Sequence, residues 1–131
     1  MNHSATHSRE TELPPDAIMA ALKDPLLLPR WAPAFADSVE AAGPGRYRVT
    51  KGDRDFSIEL VVHERSRTVD YLREVAPDRK AGGYLRVIPL PTGGSVITMT
   101  VPIPPGESRE NVVGLLDQEL EALTKLSSSK V

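Results

Sequence analysis

The chain has 131 residues, 40% hydrophobic and 26% charged, with 16 basic against 18 acidic side chains, a net charge of −2 and no cysteine. A chain of that size can bury a core without disulfides or a structural metal, and the missing cysteine excludes a disulfide framework, a thiolate nucleophile and a zinc-thiolate site. The near balance of charge, with a pI near 5.9, speaks against nucleic acid as a partner, because phosphate binding draws on a concentrated excess of Lys and Arg.

Residues 1–12 are polar and carry no apolar stretch of the kind a signal peptide needs. Apolar runs such as Leu26-Leu27-Leu28 fall far short of the roughly 20 residues that span a bilayer. A cytoplasmic protein without a membrane span is expected. No linker or repeat divides the chain, so residues 1–131 read as one domain, with frayed tails at about 1–4 and 127–131.

A first strand is expected at about residues 5–13, although it is unusually polar. Pro14-Pro15-Asp16 then precedes a short helix with Ile18 and Leu22 one turn apart, which Pro25 ends near Lys23. Residues 24–31 have room for a second short helix. From Val39 the period changes to alternation, with turn signals at Gly43-Pro44-Gly45, Gly52-Asp53, Gly82-Gly83 and Pro91-Thr92-Gly93-Gly94. That spacing predicts a long antiparallel meander, with strands opening near Tyr47, Phe56, Thr68, Tyr84 and Ser95. Pro104-Pro105-Gly106 breaks the sheet, and Ser108 is placed to cap a C-terminal helix of roughly five turns. Its apolar stripe is Val112, Leu116, Leu120 and Leu123, and Asp117, Gln118, Glu119 and Glu121 are assigned to its wet side.

This order of elements resembles the helix-grip fold of the SRPBCC, or START-like, superfamily, and its polyketide cyclase/dehydrase branch in wording. The resemblance is carried by Pro14-Pro15-Asp16-Ala17-Ile18, Asp24-Pro25, Arg30-Trp31-Ala32-Pro33, the segment Arg67-Thr68-Val69-Asp70-Tyr71 and the hairpin Pro89-Leu90-Pro91-Thr92-Gly93-Gly94-Ser95. It covers nearly the whole chain as an ordering of elements rather than as a catalytic signature. The fold it implies is α+β: a curved antiparallel sheet wrapped around the long C-terminal helix, with two short helices after the first strand. It also implies a space between sheet and helix that holds a lipid, a polyketide or another hydrophobic small molecule.

Period-two alternation says which strand residues would face that space. The inward set is Phe56, Ile58 and Leu60, Val69 and Tyr71, Leu85 and Val87, and Ile97, Met99 and Val101. With Trp31 and the stripe Val112, Leu116 and Leu120, these supply the expected ligand-binding residues Trp31, Phe56, Ile58, Leu60, Val69, Tyr71, Val87, Ile97, Met99, Val112, Leu116 and Leu120. Most ionisable strand residues fall on the other face, leaving few acid/base candidates inside. Tyr71 and Arg73, which share a phase, are the candidates to orient a ligand or, in an enzyme, to move a proton and stabilise an enolate.

Other features read as structural. His63 ends the best strand beside Glu64 and Arg65, and His3 and His7 lie in the polar first segment, before any predicted helix that would set them on one face as a metal-ligand pair. Asp53-Arg54-Asp55 lacks the rest of a calcium loop and reads as a charged turn. The paired glycines are hairpin chemistry, since no helix follows them to bind an anion. Arg46, Arg48, Arg54, Arg65 and Arg67 alternate with carboxylates on a solvated face. No metal or cofactor is expected.

Three functions compete: a module binding a hydrophobic small molecule, a cyclase, aromatase or dehydrase-like enzyme, and an interaction protein whose core is filled. A homodimer is compatible with the sequence. Fold alone does not choose among the three.

Overall fold

The computed structural model describes residues 3–129. Seven strands form one antiparallel sheet in the order β1-β7-β6-β5-β4-β3-β2. They are β1 (Ser4–Thr11), β2 (Ser38–Ala41), β3 (Arg46–Lys51), β4 (Arg54–His63), β5 (Thr68–Ala76), β6 (Arg79–Pro89) and β7 (Ser95–Pro102). Between β1 and β2 lie α1 (Pro15–Leu22), a 3-10 turn at Pro25–Leu27 and α2 (Leu28–Trp31); α3 (Arg109–Ser129) closes the chain. Asp24 starts the 3-10 turn by accepting the Leu26 amide on Oδ1 at 3.2 Å.

The polarity of β1 has a local cause. It pairs with β7 along its whole length, from Ser4 opposite Pro102 to Thr11 opposite Ser95. On one face, the Thr6 and Ser8 hydroxyls lie 2.8 and 3.2 Å from those of Thr100 and Thr98. On the other, Ala5 is buried and His7 Nε2 lies 2.9 Å from Asp117 Oδ1 on α3. The strand is held by ladder bonds and polar pairs rather than by an apolar face.

Gly82 and Gly83 are not a turn. They lie inside β6, and the β5–β6 connection is made at Pro77-Asp78, where Asp78 takes a positive φ of 60°. Gly82 is required by close approach: a Cβ there would run into the Tyr71 carbonyl group. A register shift between Glu74 and Ala76 leaves Val75 exposed and bends this part of the sheet.

The Asn111 amide donates to Ser108 Oγ at 3.1 Å, so Ser108 caps α3. Ser108→Ala should therefore cost about 1 kcal/mol, read by chemical denaturation; an unchanged midpoint would remove the cap from the account. Along α3 the buried residues are Val112, Leu116, Glu119, Leu120, Leu123, Leu126 and Ser127. Fraying from residue 127 is thus corrected. Ser127 is fully buried and its hydroxyl donates to the Leu123 carbonyl at 2.7 Å, which lets a small polar side chain pack inside a helix. At the other end Ser4 belongs to β1, and the Ile103 amide donates to the His3 carbonyl at 2.9 Å. The remaining tail residues, 1, 2, 130 and 131, lie outside the described residues.

Candidate ligand cavity

Sheet and α3 close on each other at one end and part at the other. At the closed end α1 packs against both α3 and β6. Ile18 and Leu22 join Val87, Ile97, Leu120 and Leu123 in a core that is at most 1% exposed. At the other end a cavity of about 650 Å³ opens, within the usual size range of small-molecule sites. Ile58, Tyr71, Gly83 and Met99 line it on the sheet side, and Val112, Leu115, Leu116 and Glu119 on the helix side. Trp31, Ala32 and Phe35 close one flank. Val75 and residues 102–105 border the mouth.

The cavity exists because little side chain reaches it from β6. Gly83 shares the inward phase of Leu85 and Val87, and a Cβ built there would meet only Met99 Cε at 3.5 Å and Val101 Cγ1 at 3.9 Å.

Of the residues expected to contact a ligand, the structure brings Trp31, Ile58, Tyr71, Met99, Val112 and Leu116 to this cavity, together with Arg73. It places Val69, Val87, Ile97 and Leu120 in the closed core, where α1 and α3 leave no space. Leu60 is half-buried against that core. Phe56 stands outside the cavity, edge-on to Phe35 at a centroid distance of 5.4 Å and beneath the Arg73 guanidinium at 5.0 Å. Alternation identified the inward face correctly for these buried residues, but it carries no information on where that face is packed and where it is open.

The Tyr71 hydroxyl is already engaged: it donates to the Leu22 carbonyl, tying β5 to the end of α1. Burial raises its pKa further above the ordinary phenol value, which makes it a poor proton donor to a substrate. Its ring, 6.2 Å from that of Trp31, contributes apolar wall. Tyr71→Phe is therefore expected to cost about 1–2 kcal/mol of stability through the orphaned carbonyl and to leave the affinity for an apolar ligand within twofold. A larger loss of affinity in a binding titration would return the hydroxyl to the site.

Trp31 is 1% exposed, and its Nε1 has no hydrogen-bond partner among the described residues. Arg73 is half-buried where the cavity meets a shallower outer cleft formed with Arg54, Asp55 and Phe56. It carries no carboxylate partner among the described residues.

Glu119 corrects the assignment of α3's wet side. It is 6% exposed, lines the cavity and has neither a hydrogen bond nor an ion pair among the described residues. Burial among apolar side chains pushes its carboxyl up to about 7. The signal was present in the spacing: Glu119 is seven residues from both Val112 and Leu126, two turns each way along the buried stripe.

The remaining polar features are accounted for at the surface. Asp55 accepts from Arg48 at 2.7–3.0 Å, Glu59 pairs with Lys80 at 2.7 Å, and His63 is exposed at the end of β4. Among the described residues no group of three or more His, Asp or Glu side chains is placed to hold a metal ion. Among the described residues no helix is long and apolar enough to cross a membrane.

A family model described as polyketide cyclase/dehydrase and lipid transport matches residues 2–127. The chain belongs to that family. Solved structures agree on the fold of this polyketide cyclase/dehydrase-family protein. A START superfamily protein from Mycobacterium smegmatis superposes with a TM-score of 0.67 at 15% identity, covering 99% of this chain and 97% of that one. A protein from Bacillus thuringiensis gives 0.70 at 19% identity, covering 95% and 98%. The Zhui aromatase/cyclase from a Streptomyces species gives 0.64 at 17% identity, covering 95% and 93%. No curated protein matches the family member in sequence. At these identities the likeness is one of fold: the helix-grip arrangement of a curved antiparallel sheet, a long C-terminal helix and two short helices.

Proposed function

We propose that the protein binds a hydrophobic small molecule, lipid-like or polyketide-like, in the cavity between its sheet and α3. The observation that carries this reading is the cavity itself: about 650 Å³ lined mainly by aliphatic and aromatic side chains, with Arg73 and Glu119 as its less exposed charged groups and Glu107 and Asn111 exposed beside them. Burial of apolar ligand surface would supply most of the affinity, at about 25 cal/mol per Å² before the costs of association. Six aromatic residues in the whole chain leave the wall mostly aliphatic, which favours a flexible apolar body over a stacked ring system. The family description and the fold of the relatives support the same class of ligand. Native mass spectrometry of the purified protein tests it. A bound mass, released on unfolding, is the expected result, and a ligand-free protein that also takes up no fatty acid or alcohol would overturn it.

Glu119 favours a second reading, proton-transfer chemistry of the cyclase or dehydrase kind. A carboxyl group that titrates near neutrality inside an apolar cavity has the properties of a general acid/base. In that case Glu119, and not Tyr71, would exchange the proton, with Arg73 facing a developing enolate. Turnover should then disappear in Glu119→Gln while ligand affinity persists. Turnover that survives the substitution would remove Glu119 from the chemistry.

A further inference from the structure

Arg73 and Glu119 are the two side chains of charged type in the cavity lining that are not exposed, whereas Glu107 and Asn111, which also line it, are exposed. Neither Arg73 nor Glu119 has a hydrogen bond or ion pair among the described residues, and the two differ in depth. Several surface carboxylates are matched, among them Asp55 by Arg48, Glu59 by Lys80, Asp37 by Lys51 and Asp117 by His7. Arg73 and Glu119 pair neither with these groups nor with each other. The Arg73 guanidinium rests on the Phe56 ring and is half-buried at the junction with the outer cleft. Glu119 sits deeper, on the stripe of α3 that carries Leu116, Leu120 and Leu123. An unpartnered acid that is 6% exposed and faces an apolar cavity costs stability unless something else satisfies it.

The two positions ask for different chemistry. At the half-exposed site an anion keeps part of its hydration, and the planar fork of a guanidinium matches a carboxylate at two points. At the deep site a charged partner would have to shed most of its water. A hydroxyl or carbonyl oxygen sheds less, and a carboxyl group can both donate to it and accept from it when protonated. Burial, which holds Glu119 towards its protonated form, agrees with a neutral partner.

Resting on the binding reading above, we propose that the ligand is an oxygenated carboxylic acid. Its anionic head lies against Arg73 near the mouth, its apolar body fills the cavity, and an uncharged hydroxyl or carbonyl oxygen is hydrogen-bonded by Glu119 in the interior. Glu119 is then a specificity residue, distinguishing an oxygenated acid from a plain fatty acid.

Trp31, the single tryptophan and part of the cavity wall, reports occupancy by its emission. The probes are ω-hydroxy acids from octanoate to hexadecanoate, beside the plain acids and the alcohols of the same lengths. At the best-fitting length the hydroxy acid is expected to bind about tenfold more tightly than either relative. Glu119→Leu should erase the advantage over the plain acid and keep that over the alcohol, and Arg73→Met should do the reverse. Glu119→Gln, which keeps a hydrogen-bonding group in nearly the same shape, should retain much of the hydroxyl preference. The proposal is overturned if no length favours the hydroxy acid, or if both variants weaken every probe alike. Probes that all bind wild type equally would sink this inference alone; a wild type that binds none of them would sink the binding reading with it.

Discussion

Replacing Glu119 by glutamine is expected to stabilise the protein by on the order of 3 kcal/mol above about pH 8 and to leave stability nearly unchanged below about pH 4. Glu119 is a residue only 6% exposed, its carboxyl has no partner among the described residues, and its pKa is raised from 4.5 to about 7 by desolvation. Between those values the folded state holds a proton that the unfolded state has released. Stability therefore falls as pH rises through that window, and it stays lowered once the folded carboxylate is ionised. Below 4.5 both states are protonated, and Gln replaces a neutral acid of similar shape. Urea unfolding across this range should give a descending profile for wild type and a flatter one for Glu119→Gln. Parallel profiles would mean that Glu119 reaches water or a partner in the folded protein.

The second large effect concerns the cavity floor. Gly83→Leu should weaken binding of a hydrophobic ligand by at least about tenfold, with little loss of stability. The backbone of Gly83 is not in the left-handed region, and a Cβ there makes only ordinary contacts with Met99 and Val101. A leucine can therefore enter the strand without distorting it, and its isobutyl group occupies space that would otherwise hold ligand. It also buries apolar surface in an empty region, which offsets some of the strain of packing. Gly82→Ala is the contrasting control. There a Cβ meets the Tyr71 carbonyl carbon at 2.9 Å, so the β5–β6 pairing must shift and the protein should unfold more readily. Affinity by titration and stability by thermal unfolding separate the two. A Gly83→Leu protein that is stable and binds as tightly as wild type would place the ligand elsewhere.

The order of elements was legible because its causes are local. Prolines end α1 and separate the short helices, alternation marks the strands, and Ser108 starts α3. Glycine was legible only in part. Gly93, with a φ of 98°, serves a hairpin, but Gly82 and Gly83 lie in the middle of β6, one relieving a backbone contact and the other leaving space in the floor. Turn glycines and cavity glycines look alike in sequence, and only the position of the neighbouring strand tells them apart.

The site was harder to read than the fold. Hydrophobic patterning marks what is inside, and Val69, Val87, Ile97 and Leu120 are indeed inside, in dense core. Whether an inward residue meets another side chain or an open volume depends on where α1 packs, which is a tertiary fact. Tyr71 was legible as an inward polar residue, but its hydrogen bond to the Leu22 carbonyl spans 49 positions of sequence. Glu119 was hidden by its charge. Acidic residues in a helix are most often solvated, and only the seven-residue spacing from Val112 and Leu126 argued otherwise.

The central claim is that a hydrophobic small molecule occupies the cavity, and methionine methyl NMR tests it most directly. Met99 lines the cavity, whereas Met19 is buried in α1 outside it. With the methionine methyl groups carbon-labelled, titration with a medium-chain fatty acid should move the Met99 signal progressively and saturably, and leave that of Met19 in place. A Met99 signal that stays fixed at saturating ligand, or shifts no more than that of Met19, would contradict the account.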